Sequence, residues 1–403
     1  MEKTLLRILH TADWHLGCKT DDYDRMAEQK DALNQIITIA KEREVDMVII
    51  AGDIYDSFVP SSEAEDLFYK TVMELNNNGN TAVIAIAGNH DEPRRLANAN
   101  IFANTFGIYM LGSLDKIKIS EPQQNRNIYA VSSGKGYIKF KTKADENITV
   151  AYLPFPSYYR FKEIKKESET FSDKVKEWLS TGVEAFSDSS INILTSHFMT
   201  YGMNLSQEEM QAYETIATYS NSVATEVLQT GAHYTALGHV HKCLAVSKEN
   251  NIYYSGSIIN QFFINCDTLT KVIVADITTE GVVKLDKVPL RVKLLKNFTV
   301  SSMLHAEVVC KDNPDDLIKV TIEDVDRVSM SEIKHLRNTY KNLVTLSVIT
   351  KDAKSNYDVT SKKDLTNAEI FDNFVIKKRG EKANEPVREL FLELMSEDLY
   401  EAD

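Results

Sequence analysis

Eight side chains able to hold divalent cations or move protons stand at the ends of apolar runs: Asp13, His15, Asp53, Asn89, His90, His197, His239 and His241. Asp13 and His15 are two apart, so in extended chain they point the same way, one oxygen donor beside one nitrogen donor. His239 and His241 repeat that spacing. Asp53 ends the run Val48-Ile49-Ile50-Ala51-Gly52-Asp53. Its two oxygens and full charge could join two cations a few ångströms apart. Asn89 adds a neutral oxygen and His197 a further nitrogen. Seven ligands around one shared carboxylate suit a two-cation centre. Mixed nitrogen and oxygen donors without thiolate favour Mn²⁺, Fe²⁺ or Zn²⁺ over Ca²⁺ or Mg²⁺. Two such cations would lower the pKa of bound water and hold a phosphate for in-line attack. His90 could be a ligand, a donor to a phosphate oxygen or the acid that protonates a leaving group.

The elements that must position these groups are strands. Leu5-Leu6-Arg7-Ile8-Leu9-His10 runs into Asp13, and Val48 to Ala51 runs into Asp53. A strand over 81–87 ends in Gly88-Asn89-His90-Asp91, Ile191 to Ser196 ends in His197, and Tyr234 to Gly238 ends in His239. Short β-branched runs of this kind read as buried strands, and open α/β sheets bind ligands at the carboxyl ends of their strands. Leu33, Ile36, Ile37 and Ala40 predict an amphipathic helix over 26–44. Leu67, Phe68, Val72 and Leu75 predict another over 61–76, capped by Ser61 or Ser62. Strands alternating with helices make two βαβ units. A short helix is expected over 96–106.

Beyond residue 115 the texture changes to alternating stretches at 116–120, 127–131, 138–141 and 148–153, which read as antiparallel strands. Residues 158–186 read as a charged, peripheral helix, with Arg160 and its neighbouring lysines on a solvated face. Tyr253-Tyr254-Ser255-Gly256-Ser257 is expected to close the domain. Val288-Pro289-Leu290 marks a boundary. Past it, strands at 306–310, 317–322 and 343–348 with a helix near 330–340 suggest a small α+β domain, then a polar linker over 351–365. Thr366 and Glu369 could cap a helix, and Val387, Leu390, Phe391, Leu394 and Met395 form an apolar stripe on a last one. That stripe could fold back on the body or dock on another protein.

At 403 residues and 43% hydrophobic the chain can bury a large core. No apolar run spans a bilayer. Four scattered cysteines without CxxC point to reduced thiols in a cytoplasm. Cys18, near a candidate ligand, reads as a buried thiol. His10, His233, His305 and His335 lack the strand-exit context and take no role. The net charge of −13 argues against a general nucleic-acid coat, so any DNA contact is local, metal-mediated or assisted by a partner. GxSxG and the Walker A loop are both missing, which disfavours Ser-His-Asp chemistry and predicts that this chain does not itself hydrolyse ATP.

Asp13-x-His15, Gly52-Asp53, Gly88-Asn89-His90-Asp91, His197 and Gly238-His239-Val240-His241 resemble the calcineurin-like metallophosphoesterase signature. The finer likeness is to the SbcD/Mre11 nuclease subunits. It is carried by Asp13-Trp14-His15-Leu16-Gly17, Gly52-Asp53-Ile54-Tyr55-Asp56, the run Ala232 to His241 and Tyr254-Ser255-Gly256-Ser257. It covers most of 1–265 specifically and the rest in layout. The resemblance implies an α/β fold: a metallophosphoesterase β-sandwich flanked by helices over 1–288, a capping domain over 289–350, and C-terminal helices over 366–403. It implies two Mn²⁺, one on Asp13, His15, Asp53 and His241, the other on Asp53, Asn89, His197 and His239, with His90 catalytic. It also implies endonuclease and 3′–5′ exonuclease action on DNA in repair, recombination and replication. The implied partners are an SbcC/Rad50-type ATPase on the C-terminal helices and a second copy on helices 61–76 and 96–106. Two other readings stand beside it, a small-substrate metallophosphoesterase and a non-catalytic scaffold. Phosphoprotein phosphatases of this superfamily carry an arginine after the second aspartate motif, where this chain has Asp56-Ser57, which favours a diester substrate.

Overall fold

A computed structural model gives the fold and describes residues 5–21, 23–119, 126–162, 169–201, 222–261, 263, 269–325, 328–350, 371 and 375. Its first sheet has six strands in the order Gly281–Pro289, Lys271–Thr278, Leu6–Thr11, Met47–Ile50, Ala82–Ile86 and Ile108–Leu111. The last four run parallel, and Lys271–Thr278 lies antiparallel beside Leu6–Thr11. Every residue of Met47–Ile50 and Ala82–Ile86 is buried, because both faces of the sheet are covered. Side chains alternate between those faces. Val48, Ile50 and Val83 pack under helices Met26–Glu42 and Ser62–Leu75, against Leu33, Ile36, Phe68 and Val72. Met47, Ile49 and Ile84 face the second sheet and share its core with Ile193, Tyr234 and Ala236.

The second sheet has seven strands, ordered Leu244–Ser247, Ile252–Tyr254, Tyr234–Gly238, Ser190–His197, Asn147–Leu153, Tyr137–Thr142 and Ile128–Gly134. Its middle four are parallel and its edges antiparallel. His197 is in register with Gly238, so His197 and His239 leave the sheet side by side. The two sheets form the expected sandwich, and their parallel strands deliver the eight residues to one end.

Several elements depart from the sequence reading. The return of Lys271–Thr278 and Gly281–Pro289 to the first sheet means that Tyr254 to Ser257 does not close the domain. Residues 116–119 form no strand. Ile117 and Ile119 pack against the core while Ser133 Oγ donates to the Ile117 carbonyl, which gives alternating burial without a ladder. The 96–106 helix starts earlier, at Pro93, and breaks into Pro93–Asn98, Asn100–Ala103 and a 3₁₀ turn at Asn104–Phe106. The described part of 158–186 is not peripheral: Phe171–Val183 buries Val175, Trp178 and Leu179 in the main core.

Leu295–Val300, Leu317–Val325 and Leu343–Thr350 build a third, parallel sheet. The expected strand at 306–310 lies inside helix Met303–Asp312. The Ser302 hydroxyl accepts from His305 N–H and caps it, and Ala306, Val309 and Cys310 bury one helical face. These residues form a separate small core with Ile318, Val320, Ile322 and Leu336. Residues 351–403, with the linker and C-terminal helices, lie outside the described residues apart from Phe371 and Val375. No helix among the described residues is long and apolar enough to cross a membrane.

Candidate metal centre

The strand ends bring together all seven expected ligands and His90. Asp53 Oδ2 lies 3.5 Å from His15 Nε2 and 3.3 Å from His197 Nε2. His15 Nε2 is 3.1 Å from His241 Nε2, which is 3.9 Å from Asp13 Oδ1. Asn89 Oδ1 accepts from His197 Nε2 at 3.0 Å and His239 Nδ1 at 2.9 Å. Asp13, His15, Asp53 and His241 thus form one donor group and Asp53, His197 and His239 another, with Asn89 against the second.

The local backbone differs from the expected extended chain. Asp13 (φ 53°), His15 (φ 45°), Asp53 (φ 49°) and His239 (φ 94°) all adopt positive φ. For residues with a Cβ this costs about 1–2 kcal/mol each. Hydrogen bonds hold the conformation: Asp13 N–H donates to Gly52 O and His15 N–H to Asp53 O, each at 3.0 Å. Glycine is required where the loops touch. A Cβ on Gly52 would strike the His197 imidazole, and one on Gly88 would strike the Asp53 carboxylate and amide.

Asp13 Oδ1 accepts from His239 N–H at 2.9 Å, but Asp13 Oδ2 is buried without a hydrogen-bond partner. Burial, with Asp53 nearby, pushes the Asp13 carboxyl up to about 7. Burial would raise Asp53 too, yet His197, His15 and His90 hold it well below the usual carboxylate range. For His197, burial opposes charge and Asp53 overrides it, raising the imidazole to about 9. Burial, with His197 adjacent, lowers His239 to about 3, and burial with His15 holds His241 well down. The last two are therefore neutral at pH 7, as nitrogen ligands must be. His197 Nδ1–H donates to Ala51 O at 2.7 Å, leaving Nε2 to face Asp53 and Asn89. A partnerless buried carboxylate oxygen, with the neutral imidazoles of His239 and His241 close by, is an environment a divalent cation satisfies once His197 gives up its proton, so the residues fit the implied metals. Cys18 is not among the donors. Its sulfur accepts from Gln29 Nε2 at 3.3 Å, and burial pushes the thiol to about 12.

Sequence reasoning missed the residues that hold the loops. The Asp91 carboxylate accepts from Gly88 N–H at 2.8 Å, Ile54 N–H at 3.1 Å and Tyr55 N–H at 2.9 Å, tying the Asn89 loop to the Asp53 loop. Its only sequence signal is its place as the last residue of Gly88-Asn89-His90-Asp91. Asp56 Oδ1 lies 3.5 Å from His15 Nδ1, and the Asp56 carbonyl accepts from His90 Nδ1 at 3.0 Å. Arg160, expected on a solvated face, instead reaches the carbonyls of the Asn89 loop. His10 is buried between Tyr234 OH and Leu237 O, outside both donor groups.

The chain is 28% identical over 408 aligned positions to the SbcD component of nuclease SbcCD from Bacillus subtilis (strain 168), covering 97% of this chain and 98% of that protein. It is 26% identical over 373 positions to the SbcD component of nuclease SbcCD from Staphylococcus epidermidis, covering 92% of each. Among solved structures, a dimetal phosphatase from Danio rerio aligns with a TM-score of 0.37 and 12% identity, over 71% of this chain and 99% of that one. Residues 6–243 match the profile of the calcineurin-like phosphoesterases. That span opens at the first strand of the first sheet and closes just past His241, so it holds all eight site residues. The chain belongs to the calcineurin-like phosphoesterase family and is a metal-dependent phosphodiesterase.

Proposed function

We propose that the chain is the nuclease subunit of an SbcCD-like complex, a Mn²⁺-dependent DNA endonuclease and 3′–5′ exonuclease that processes ends and hairpins in the cytoplasm during repair, recombination and replication. The observation that carries this reading is the position of Asp53, within 3.5 Å of His15 in one donor group and 3.3 Å of His197 in the other. The near full-length likeness to SbcD proteins of the SbcCD nuclease supports the choice of DNA and of an SbcC-type ATPase partner. Residues 366–403 are the proposed ATPase-binding helices, and 289–350 the proposed capping domain. The exposed Tyr69, Met73, Ile101, Phe102 and Phe106 support homodimerisation through the 62–75 and 93–106 helical segments.

Two divalent cations, when bound, would supply an activated water and neutralise the phosphate charge. Asp13, His15, Asp53 and His241 would hold one, and Asp53, Asn89, His197 and His239 the other. His90 acts on the leaving side. Its Nδ1–H is held by the Asp56 carbonyl and its amide donates to Asp53 Oδ1 at 2.9 Å, so the ring is fixed with Nε2 left for the leaving oxygen, to which only the imidazolium form can deliver a proton, returning to the neutral Nδ1–H ring. A diester carries one charge fewer than a terminal phosphate, which suits a site with Asp56-Ser57 in place of a clamping arginine.

The test is cleavage of labelled duplex and hairpin DNA with Mn²⁺, Mg²⁺ or chelator, with and without the ATPase, against release of phosphate from a nucleoside monophosphate. Expected are Mn²⁺-dependent DNA cleavage and a loss of about 10²–10⁴-fold in His90→Gln with cation binding retained. Efficient monophosphate hydrolysis with DNA left intact would give the small-substrate reading. DNA cleavage undiminished by His90→Gln would remove the role given to that residue.

A further inference from the structure

Arg160 lies on the short helical turn Tyr158–Phe161, its amide donating to the Ser157 hydroxyl at 3.1 Å. Its guanidinium makes three hydrogen bonds to backbone carbonyls of a four-residue loop. Nη1 donates to Gly88 O at 2.7 Å, and Nη2 donates to Asn89 O at 2.9 Å and Asp91 O at 3.0 Å. The guanidinium carbon sits 5.1 Å from the Phe155 ring centroid and 5.7 Å from that of Phe58. Phe155 in turn flanks His197 and His239, with ring centroids 6.3 and 6.2 Å away. A planar fork of donors can bind several carbonyls at fixed angles, and a lysine point charge cannot.

All these contacts fall on one half of the centre. The clamped loop carries Asn89, whose oxygen meets His197 and His239, and it carries His90. Arg160's own hydrogen bonds and ring contacts reach none of Asp13, His15 and His241; the clamped loop meets that half through the His90 ring, whose centroid lies 4.8 Å from that of His15. We propose that Arg160 is a positioning residue that keeps Asn89 in register with His197 and His239, and so sets the affinity of that cation position while leaving the Asp13, His15 and His241 position unchanged. The assignment rests on the two-cation reading of the site.

The test is Mn²⁺ titration of the full chain by calorimetry, with electron paramagnetic resonance to follow the coupled Mn²⁺ pair, in wild type, Arg160→Gln and Arg160→Lys. Wild type should bind two Mn²⁺. Arg160→Gln should keep one at wild-type affinity and weaken the other about 10–100-fold, the range for losing a group that orients a ligand. The coupled signal should vanish at stoichiometric Mn²⁺ and return with excess. In DNA cleavage, kcat should fall at low Mn²⁺ and recover as Mn²⁺ is raised, with KM for DNA unchanged. Arg160→Lys should show the same pattern more weakly, and it carries the comparison alone if Arg160→Gln does not fold. Equal weakening of both ions, no weakening, or a raised KM for DNA that Mn²⁺ does not restore would each overturn the proposal. Fewer than two Mn²⁺ on wild type would overturn the site reading itself, and this assignment with it.

Discussion

The two halves of the metal centre share Asp53 and differ in what their residues do without a cation. In the half made by Asp13, His15 and His241, one carboxylate oxygen is buried and unpartnered, and two imidazole nitrogens face each other at 3.1 Å. Asp13 and His15 stand there in left-handed backbone. In the half made by Asn89, His197 and His239, the same groups already satisfy one another. The Asn89 oxygen accepts two hydrogen bonds, and His197 holds a proton toward Asp53 while its other nitrogen is committed to Ala51. A cation entering the first half completes an unmet requirement. A cation entering the second must displace a proton and two hydrogen bonds. The first position is therefore expected to bind more tightly, while occupancy of both rises with pH, since Asp13, raised to about 7, also gives up a proton to a cation.

The change that erases this contrast is at the shared residue. Asp53→Asn keeps the shape and removes the bridging charge from both halves, so both Mn²⁺ should be lost. Mn²⁺-dependent cleavage should drop by about 10³-fold or more, since removal of a single preorganised stabilising group already costs about 10²–10³-fold. Calorimetry showing one ion retained at full affinity would mean that Asp53 serves only one half.

Single-half variants sharpen the comparison. Asp13→Asn removes the carboxylate whose oxygen is unpartnered and should abolish the tighter Mn²⁺ event, with a loss of about 10²–10³-fold in cleavage. Asn89→Ala removes a neutral oxygen from the half that is already closed by hydrogen bonds. It should weaken only the second event, by about 10–100-fold, and excess Mn²⁺ should restore activity. Titrations in which Asp13→Asn affects the weaker event would reverse the assignment of the halves.

The sequence makes the donors easier to read than the groups that hold them, for a physical reason. A parallel sheet covered on both faces forces its strands to be unbroken apolar runs, so a polar residue at a run's end stands out, as Asp53 does after Val48 to Ala51. That contrast marks every ligand. Arg160 and Asp91 act on backbone groups. Arg160 binds carbonyls about seventy residues earlier in the chain, and no side-chain pattern marks a backbone acceptor. The same limit explains the Asp13 to His15 turn, where the spacing is right and the extended conformation is not. It also explains the return of Lys271–Thr278 to the side of Leu6–Thr11, a pairing across more than 260 residues. At 306–310 the apolar run fits either period, and Ser302 four residues earlier is the available sign of a helix.

The smallest expected effect is on stability, and it reads the second half by pH. His239 and His10 are each pushed to about 3 in the fold by burial, below an ordinary value near 6.5. The unfolded chain takes up those protons first, so the metal-free protein should lose stability as pH falls below 6.5. The loss is about 1.4 kcal/mol per pH unit for each such histidine. His197 works in the opposite sense. Raised to about 9 by Asp53 despite burial, it contributes stability that is complete below 6.5 and lost as pH climbs toward 9. From these histidines the metal-free melting temperature should peak near pH 6.5, with the acid decline partly offset by the Asp13 carboxyl, which burial raises to about 7 and which therefore holds its proton more tightly in the fold. Mn²⁺ takes the place of the His197 proton, so the alkaline decline should flatten when the second position is filled and persist in Asn89→Ala at the same Mn²⁺ concentration. His10 touches neither half, so its share of the acid decline should persist with Mn²⁺ bound. Thermal melts from pH 5 to 9, with Mn²⁺ and with chelator, read both limbs. An alkaline limb that Mn²⁺ leaves unchanged would place the stabilising proton somewhere other than between His197 and Asp53.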